Sequence, residues 1–462
     1  MERTTAKKNK YEIDMCNGTI MDKLISFSLP LMLSGILQLM FNAVDIIVVG
    51  RFSGSQALAA VGSTSALINV FTNLFIGISL GANVLTARFY AAGREKEVSE
   101  TVHTAITLAL VSGIVMALVG LVFSRGALAL MGTPDDVIGL SALYMRIYFL
   151  GMPFFMLYNY GAAILRAVGD TKRPLLFLVI AGVINACLNM VLVIVFKLGV
   201  AGVAIATVIS QMISCVLVLR CLCQSKTSYR LRFSELGMKG YYLKQIFSVG
   251  VPAGIQSTVI NFSNVLLQSS VNSFGSTAMA GYTAANNLLG FLYVSVNSIT
   301  QACMSFTSQN YGVGKLKRMD RVLADCMILS VVVAVVLGCI CYGFGPEILQ
   351  IYTEDAEVIA CGMEILAYTT ITYFLCGWMD LFPGALRGMG YSAVPMVLSV
   401  IGTVGTRVVW IFGIFPYHRS LAILFISYPA SWIITIVLQV ICFYFVRRRV
   451  HRRSQTLAGQ EV

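Results

Sequence analysis

A pattern laid down once between Leu24 and Val98 returns between Lys244 and Met319, and this duplication constrains the fold more than any single motif. Pro30 recurs as Pro252 and Asn42 as Asn264, both 222 positions on. After one residue is lost near Ser53, Tyr90 recurs as Tyr311, Gly93 as Gly314 and Pro174 as Pro395, each 221 on. Leu165-Arg166-Ala167-Val168-Gly169 falls in the same register on Leu386-Arg387-Gly388-Met389-Gly390. Each copy consists of long apolar runs parted by short polar ones. With 57% hydrophobic and 12% charged residues, the chain lies far from the roughly one-quarter charged fraction of soluble domains. Runs of about 20 apolar residues cross a bilayer as helices with every backbone hydrogen bond made internally.

Such runs begin near Asp22, Ala57, Thr101, Val137, Pro174 and Gly199, and again near Lys244, Ala278, Leu323, Val358, Val394 and Leu421. The predicted fold is therefore all-α: a polytopic membrane protein of about twelve transmembrane helices in two six-helix lobes. An even number of spans per copy makes them parallel repeats, and substrate sites in such folds lie between the halves. The expected organisation is a cytoplasmic N-terminal segment (1–21), an N-lobe (22–220), a cytoplasmic inter-lobe linker (221–243), a C-lobe (244–446) and a basic cytoplasmic tail (447–462).

Of the 33 Lys and Arg, only Arg51, Arg125, Lys197 and Arg419 in opposite loops, and Arg146 and Arg407 within spans, lie away from the termini and the loops assigned to the cytoplasm. Both termini are thus expected inside. The net charge of +12 reflects this orientation bias, and Arg447-Arg448-Arg449 suits anionic headgroups better than nucleic acid. The N-terminus is polar, with no cleavable signal expected. No Walker-type phosphate loop, catalytic triad or metal cluster occurs, so the chain is expected to be no enzyme and to carry no cofactor or bound metal. The twelve cysteines read as apolar thiols, and His103, His418 and His451 as interfacial or tail residues.

The informative polar residues lie inside the spans. Ser34, Gln38, Asn42 and Asp45 are spaced to share one face of the first helix; Ser257, Asn261, Asn264, Gln268 and Asn272 do the same on its repeat partner. These stripes are read as cavity-lining, the competing reading being amides that glue helices together. Gly77/Gly81 and Gly384/Gly388 have the four-residue spacing of close helix contacts. Asp45 carries the central expectation. A carboxylate in a span is costly when charged, so it takes a proton or a cation, Na⁺ included, or pairs with a base such as Arg146. Asn185 and Asn189, one turn apart on the fifth span, can help ligate a cation or hydrogen-bond the protonated acid.

Val44-Asp45-Ile46-Ile47-Val48-Val49-Gly50, with Leu29-Pro30 ahead of it and Leu165-Arg166-Ala167-Val168-Gly169-Asp170 with its repeat, resembles the multidrug and toxic compound extrusion (MATE) family, in particular its bacterial DinF-like and NorM-like members. The resemblance covers nearly the whole chain. It implies secondary active efflux of amphipathic, often cationic compounds by antiport with H⁺ or Na⁺ in a bacterial inner membrane, by a monomer working through alternating access about the linker. It makes Asp45 the ion-coupling residue and Asn185 its neighbour. Position 189, acidic in many of these transporters, is Asn here, which tilts the expectation toward H⁺. Gln38, Asn42, Asn261, Asn264 and Gln268 are the candidate cavity residues. In the second lobe Asp380, at the repeat position of Asn159, and Glu364 are secondary candidates with Arg146 and Arg407. A Glu364 to Arg407 pair is expected, structural or functional. The runner-up is a flippase for lipid-linked oligosaccharide or another amphipathic lipid precursor, which calls for a more strongly cationic cavity for pyrophosphate than Arg146 and Arg407 alone supply.

Overall fold

The computed structural model describes residues 11–458, so residues 1–10 of the N-terminal segment and 459–462 of the tail lie outside the described residues. Among the described residues the fold is helical, with no strand. The first copy supplies α1 (Met21–Phe52), α2 (Ser55–Ala91), α3 (Glu95–Leu130), the two-limbed α4 (Asp135–Leu150 and Met152–Ala167), α5 (Lys172–Asn189, continued by π-helical Met190–Val195) and α6 (Gly199–Gln224). The second supplies α7 (Gly240–Asn272), α8 (Ser276–Gly312), α9 (Leu316–Gly343), the two-limbed α10 (Ala356–Thr369 and Tyr373–Gly388), α11 (Ala393–Ser399 continued to Ile414) and α12 (Leu421–Ala458).

Eight of these helices are long and apolar enough to cross a membrane, and α4 and α10 join them when each bent pair, at 47° and 51°, counts as one span. Helices α7 and α8, 33 and 37 residues long, are diluted by their amides and hydroxyls, which is why apolarity alone misses them. The twelve-helix layout follows.

Two compact units partition the described chain: residues 11–13 with 33–254, and residues 14–32 with 255–458. Both divisions fall inside a helix, in α1 after Met32 and in α7 after Gly254, and these positions are 222 apart, the repeat spacing itself. In the first unit the second limb of α4 packs on α2, α3 and α6; in the second the corresponding limb of α10 packs on α8, α9 and α12. Glycine sets the closest approaches. A Cβ on Gly77 would stand 2.3 Å from the Gly254 Cα, and one on Gly81 2.2 Å from the Ile246 carbonyl oxygen. In the second unit Gly384 and Gly388 meet Thr300 and Met304 of α8 at 2.9 and 2.7 Å on the same construction. Both pairs act as helix contacts, the use that four-residue small-residue spacing permits.

The segment joining α6 to α7, residues 225–239, is shorter than the polar stretch suggests because helix covers both of its ends. It is also folded. Tyr229 is fully buried and its hydroxyl donates to Glu12 Oε1 at 2.6 Å, while Tyr90 donates to Glu12 Oε2 at 2.7 Å. Burial, reinforced by the Glu12 bond, pushes the Tyr229 phenol above its ordinary pKa. The buried His103 ring places Nδ1 2.6 Å from the Ser99 carbonyl oxygen, which assigns the proton to Nδ1 and leaves Nε2 to accept the Arg232 backbone N–H at 3.0 Å. Arg232 also bonds Glu235 at 2.7 Å and holds that exposed carboxyl below its usual range. This small contribution is present above the ordinary carboxylate range and is lost as pH falls through the lowered value. Lys239 pairs with Glu100. Removing the ring acceptor in His103→Ala costs about 1 kcal/mol, so amide exchange at residues 229–239, read by hydrogen–deuterium mass spectrometry, is expected to quicken about fivefold.

Ahead of α1, the backbone of Ile13 occupies the place of a side chain on Gly169. That glycine has φ +98°, and a Cβ there would lie 2.6 Å from the Ile13 carbonyl oxygen. In the other unit Met15 is fully buried and its carbonyl accepts from Asn310 Nδ2 at 3.1 Å and Arg318 Nε at 3.2 Å.

Candidate functional site

In the first unit Asp45 is half-buried on α1, facing α5 and α6. Asn189 Nδ2 donates to Asp45 Oδ1 and, at 3.1 Å, to Asn185 Oδ1. Both of its N–H bonds are then used. Its own Oδ1 is buried without a hydrogen-bond partner, an acceptor left over beside a carboxylate. The Thr207 hydroxyl, which bonds the Val203 carbonyl at 3.0 Å, also reaches Asp45 Oδ2 at 3.5 Å. Tyr144 and Tyr148 stack with centroids 6.1 Å apart, and their hydroxyls feel the Asp45 charge. Asn185 and Asn189 are buried directly ahead of the π-helical turn Met190–Val195, a distortion frequent at functional positions.

The three residues singled out on α1 and α5 thus meet in one cluster. Arg146 does not join it: the side chain is exposed and makes no ion pair with Asp45 among the described residues. Gln38 and Asn42 are exposed on the same helix and do not bond Asp45. Thr207 escaped the sequence reading because a helical threonine that bonds its own backbone is commonplace.

The second unit contains a cluster of opposite sign. Arg407 is 3% exposed, in the short α-helical stretch Thr406–Val409 between π-helical Val400–Gly405 and Trp410–Ile414. Its Nη1 donates to Ser263 Oγ and Asn264 Oδ1, both at 2.7 Å. The guanidinium lies over the Tyr428 ring, 4.8 Å from the centroid, and the Tyr428 and Tyr282 hydroxyls are 2.8 Å apart. The expected Glu364 to Arg407 pair is not formed. Glu364 is half-buried, and Arg407 is taken instead by α7 and α12. Depth along a helix placed the two residues alike; their azimuths differ.

Asp380 is half-buried and forms no ion pair with Arg387 among the described residues; Arg387 Nη2 donates to Gln256 Oε1 at 2.6 Å, and its buried Nε has no hydrogen-bond partner. Asn261 is exposed, and Asn264 and Gln268 are half-buried on one arc of α7; Gln268 donates to Asn272 at 3.0 Å. Among the described residues no group of three or more His, Cys, Asp and Glu could hold a metal ion. Of the cysteines, Cys215, Cys303, Cys326, Cys376 and Cys442 are buried, whereas Cys187 and Cys339 are exposed.

A duplicated helical membrane protein with ionisable and amide clusters inside its spans is built as a transporter and not as an enzyme. The family comparison agrees, the MatE family model matching residues 30–191 and again 252–412, and the chain belongs to that family. It is 31% identical to the probable multidrug resistance protein YoeA of Bacillus subtilis over 92% of this chain and 93% of that one. It is 22% identical to the multidrug export protein MepA of Staphylococcus aureus, covering 82% and 84%. Among solved structures, an outward-facing multidrug resistance MATE family transporter of the MOP superfamily superposes with a TM-score of 0.87 over 97% of this chain and 100% of that one, at 19% identity.

Proposed function

We propose that this protein exports amphipathic, often cationic compounds from a bacterial cell by antiport, as a monomer with both termini in the cytoplasm, and that Asp45 carries the coupling ion. One observation carries the reading: the Asp45 carboxylate sits in a membrane span, held by Asn189 and approached by the Thr207 hydroxyl, with no cationic side chain paired to it among the described residues. A carboxylate so placed binds and releases positive charge at modest cost, whereas a salt-bridged one is already neutralised. The similarity to YoeA, a probable multidrug resistance protein, and to MepA, a multidrug export protein, supports the substrate class.

Protons suit this pocket better than Na⁺. Hard cations favour several oxygen ligands with carboxylates among them, and Asp45 is the single carboxylate in a cluster otherwise of amides and a hydroxyl. Ethidium accumulation in cells with and without the protein tests the reading. Efflux is expected to weaken as external pH rises and to persist when Na⁺ is removed. Efflux indifferent to pH and dependent on Na⁺ reverses the choice of ion, and equal accumulation with and without the protein removes the export reading.

A further inference from the structure

The repeat register exposes a relation between the two clusters. Thr207, which reaches Asp45, has its counterpart 221 residues on in Tyr428, which lies under Arg407. Asn42, on the helix of Asp45, has its counterpart in Asn264, which accepts from Arg407. Equivalent places in the two units therefore hold opposite charges. The negative one comes from the first span of its copy and the positive one from the fifth.

Arg407 has no carboxylate partner among the described residues, and its buried Nε has no hydrogen-bond partner. An uncompensated guanidinium at this depth is costly, and an anion brought near it gains correspondingly. Arg407 also dictates how Asn264 is turned. A guanidinium only donates, so the Asn264 carbonyl oxygen must face it, and this settles the amide orientation on chemistry alone. The Asn264 NH₂ is then directed away from Arg407. On the helical wheel Asn264 stands at the edge of the amide arc: Ser263 and Leu267 are buried to one side, while Asn261 and Asn272 are exposed on the other. The cation polarises the very amide whose donors border that exposed arc.

We infer that Asn264, oriented and polarised by Arg407, forms a subsite in the second unit for the carboxylate of an amphipathic substrate, so that the protein prefers zwitterionic compounds over cations lacking an acid group. Asn264 makes the contact, and Arg407 is a positioning residue. This rests on the export reading above, but binding to purified protein tests it apart from coupling.

The probes are tetramethylrhodamine bearing a free carboxylate and its methyl ester, which differ only at the acid. Fluorescence anisotropy titration of the detergent-purified protein is expected to give a Kd at least tenfold lower for the acid than for the ester. Arg407→Gln is expected to bring the ratio to about one by weakening acid binding while ester binding stays; Asn264→Leu, at a half-exposed position that leaves the buried cation in place, does the same if Arg407→Gln fails to fold. A purely packing role would weaken both dyes alike. A wild-type ratio near one, no saturable binding of the acid, or a ratio that survives in the folded variants overturns the subsite. Were Asp45→Asn to leave transport intact while the ratio stood, the coupling proposal would fall and the subsite remain.

Discussion

Asp45→Asn is expected to reduce substrate-driven proton movement in proteoliposomes to the level of protein-free vesicles while the protein stays folded. The substitution keeps size and shape. The new amide oxygen can still accept from Asn189 Nδ2, and the hydrogen bond from Asn189 to Asn185 is untouched. What disappears is the only group of the cluster able to change charge, and an exchanger whose site cannot alternate between charged and neutral forms has nothing with which to couple two fluxes. Removing a half-buried charge from a membrane span relieves a desolvation cost, so the thermal transition should hold or rise. Dye efflux with an unaltered pH response in this variant would refute the assignment. Asn189→Leu separates the contributions: it removes both donors and leaves the acid, so coupling should survive in weakened form.

Gly81→Leu is expected to be the most damaging single change outside the charged clusters. Four glycines make the α2 and α7 backbones touch within the first unit, Gly250 and Gly254 adding Cβ distances of 2.4 Å to the Ile78 Cα and 2.5 Å to the Leu74 carbonyl oxygen. A leucine there meets main chain that cannot rotate away. Ordinary overpacking costs about 1–3 kcal/mol, and a clash with the main chain of α7 at Ile246 and Gly250 belongs at or above the top of that range. Loss of the monodisperse peak and of most membrane-inserted yield in fluorescence-detected gel filtration is the expected readout. Gly139→Ala, where nothing stands within 4 Å of the added carbon, is the matched control and should behave as wild type.

Much of this was legible before any coordinates, and the duplication is the reason. Pro30 with Pro252 gave the register, and the glycine pairs gave close contacts that the helices make. The meeting of Asp45 with Asn185 and Asn189 followed from a one-turn spacing and a shared depth. The unread parts needed azimuth. Glu364 and Arg407 were matched by depth alone, and only the rotation of α11 shows the guanidinium turned to Ser263 and Tyr428. The register could have disclosed Tyr428, since it is the counterpart of Thr207, but neither residue carries a charge to attract notice. A lone histidine likewise gives no hint that it holds a connecting segment by one backbone amide.

The breaks between the compact units show that the repeat boundary and the packing boundary differ. Residues 14–32 belong with the second copy's helices and residues 240–254 with the first copy's, at boundaries that coincide in the repeat register. Without that exchange the α2 face that carries Gly77 and Gly81 would have no helix end against it. Each copy is thus completed by the leading helix end of the other, as the partners of a reciprocal domain swap are.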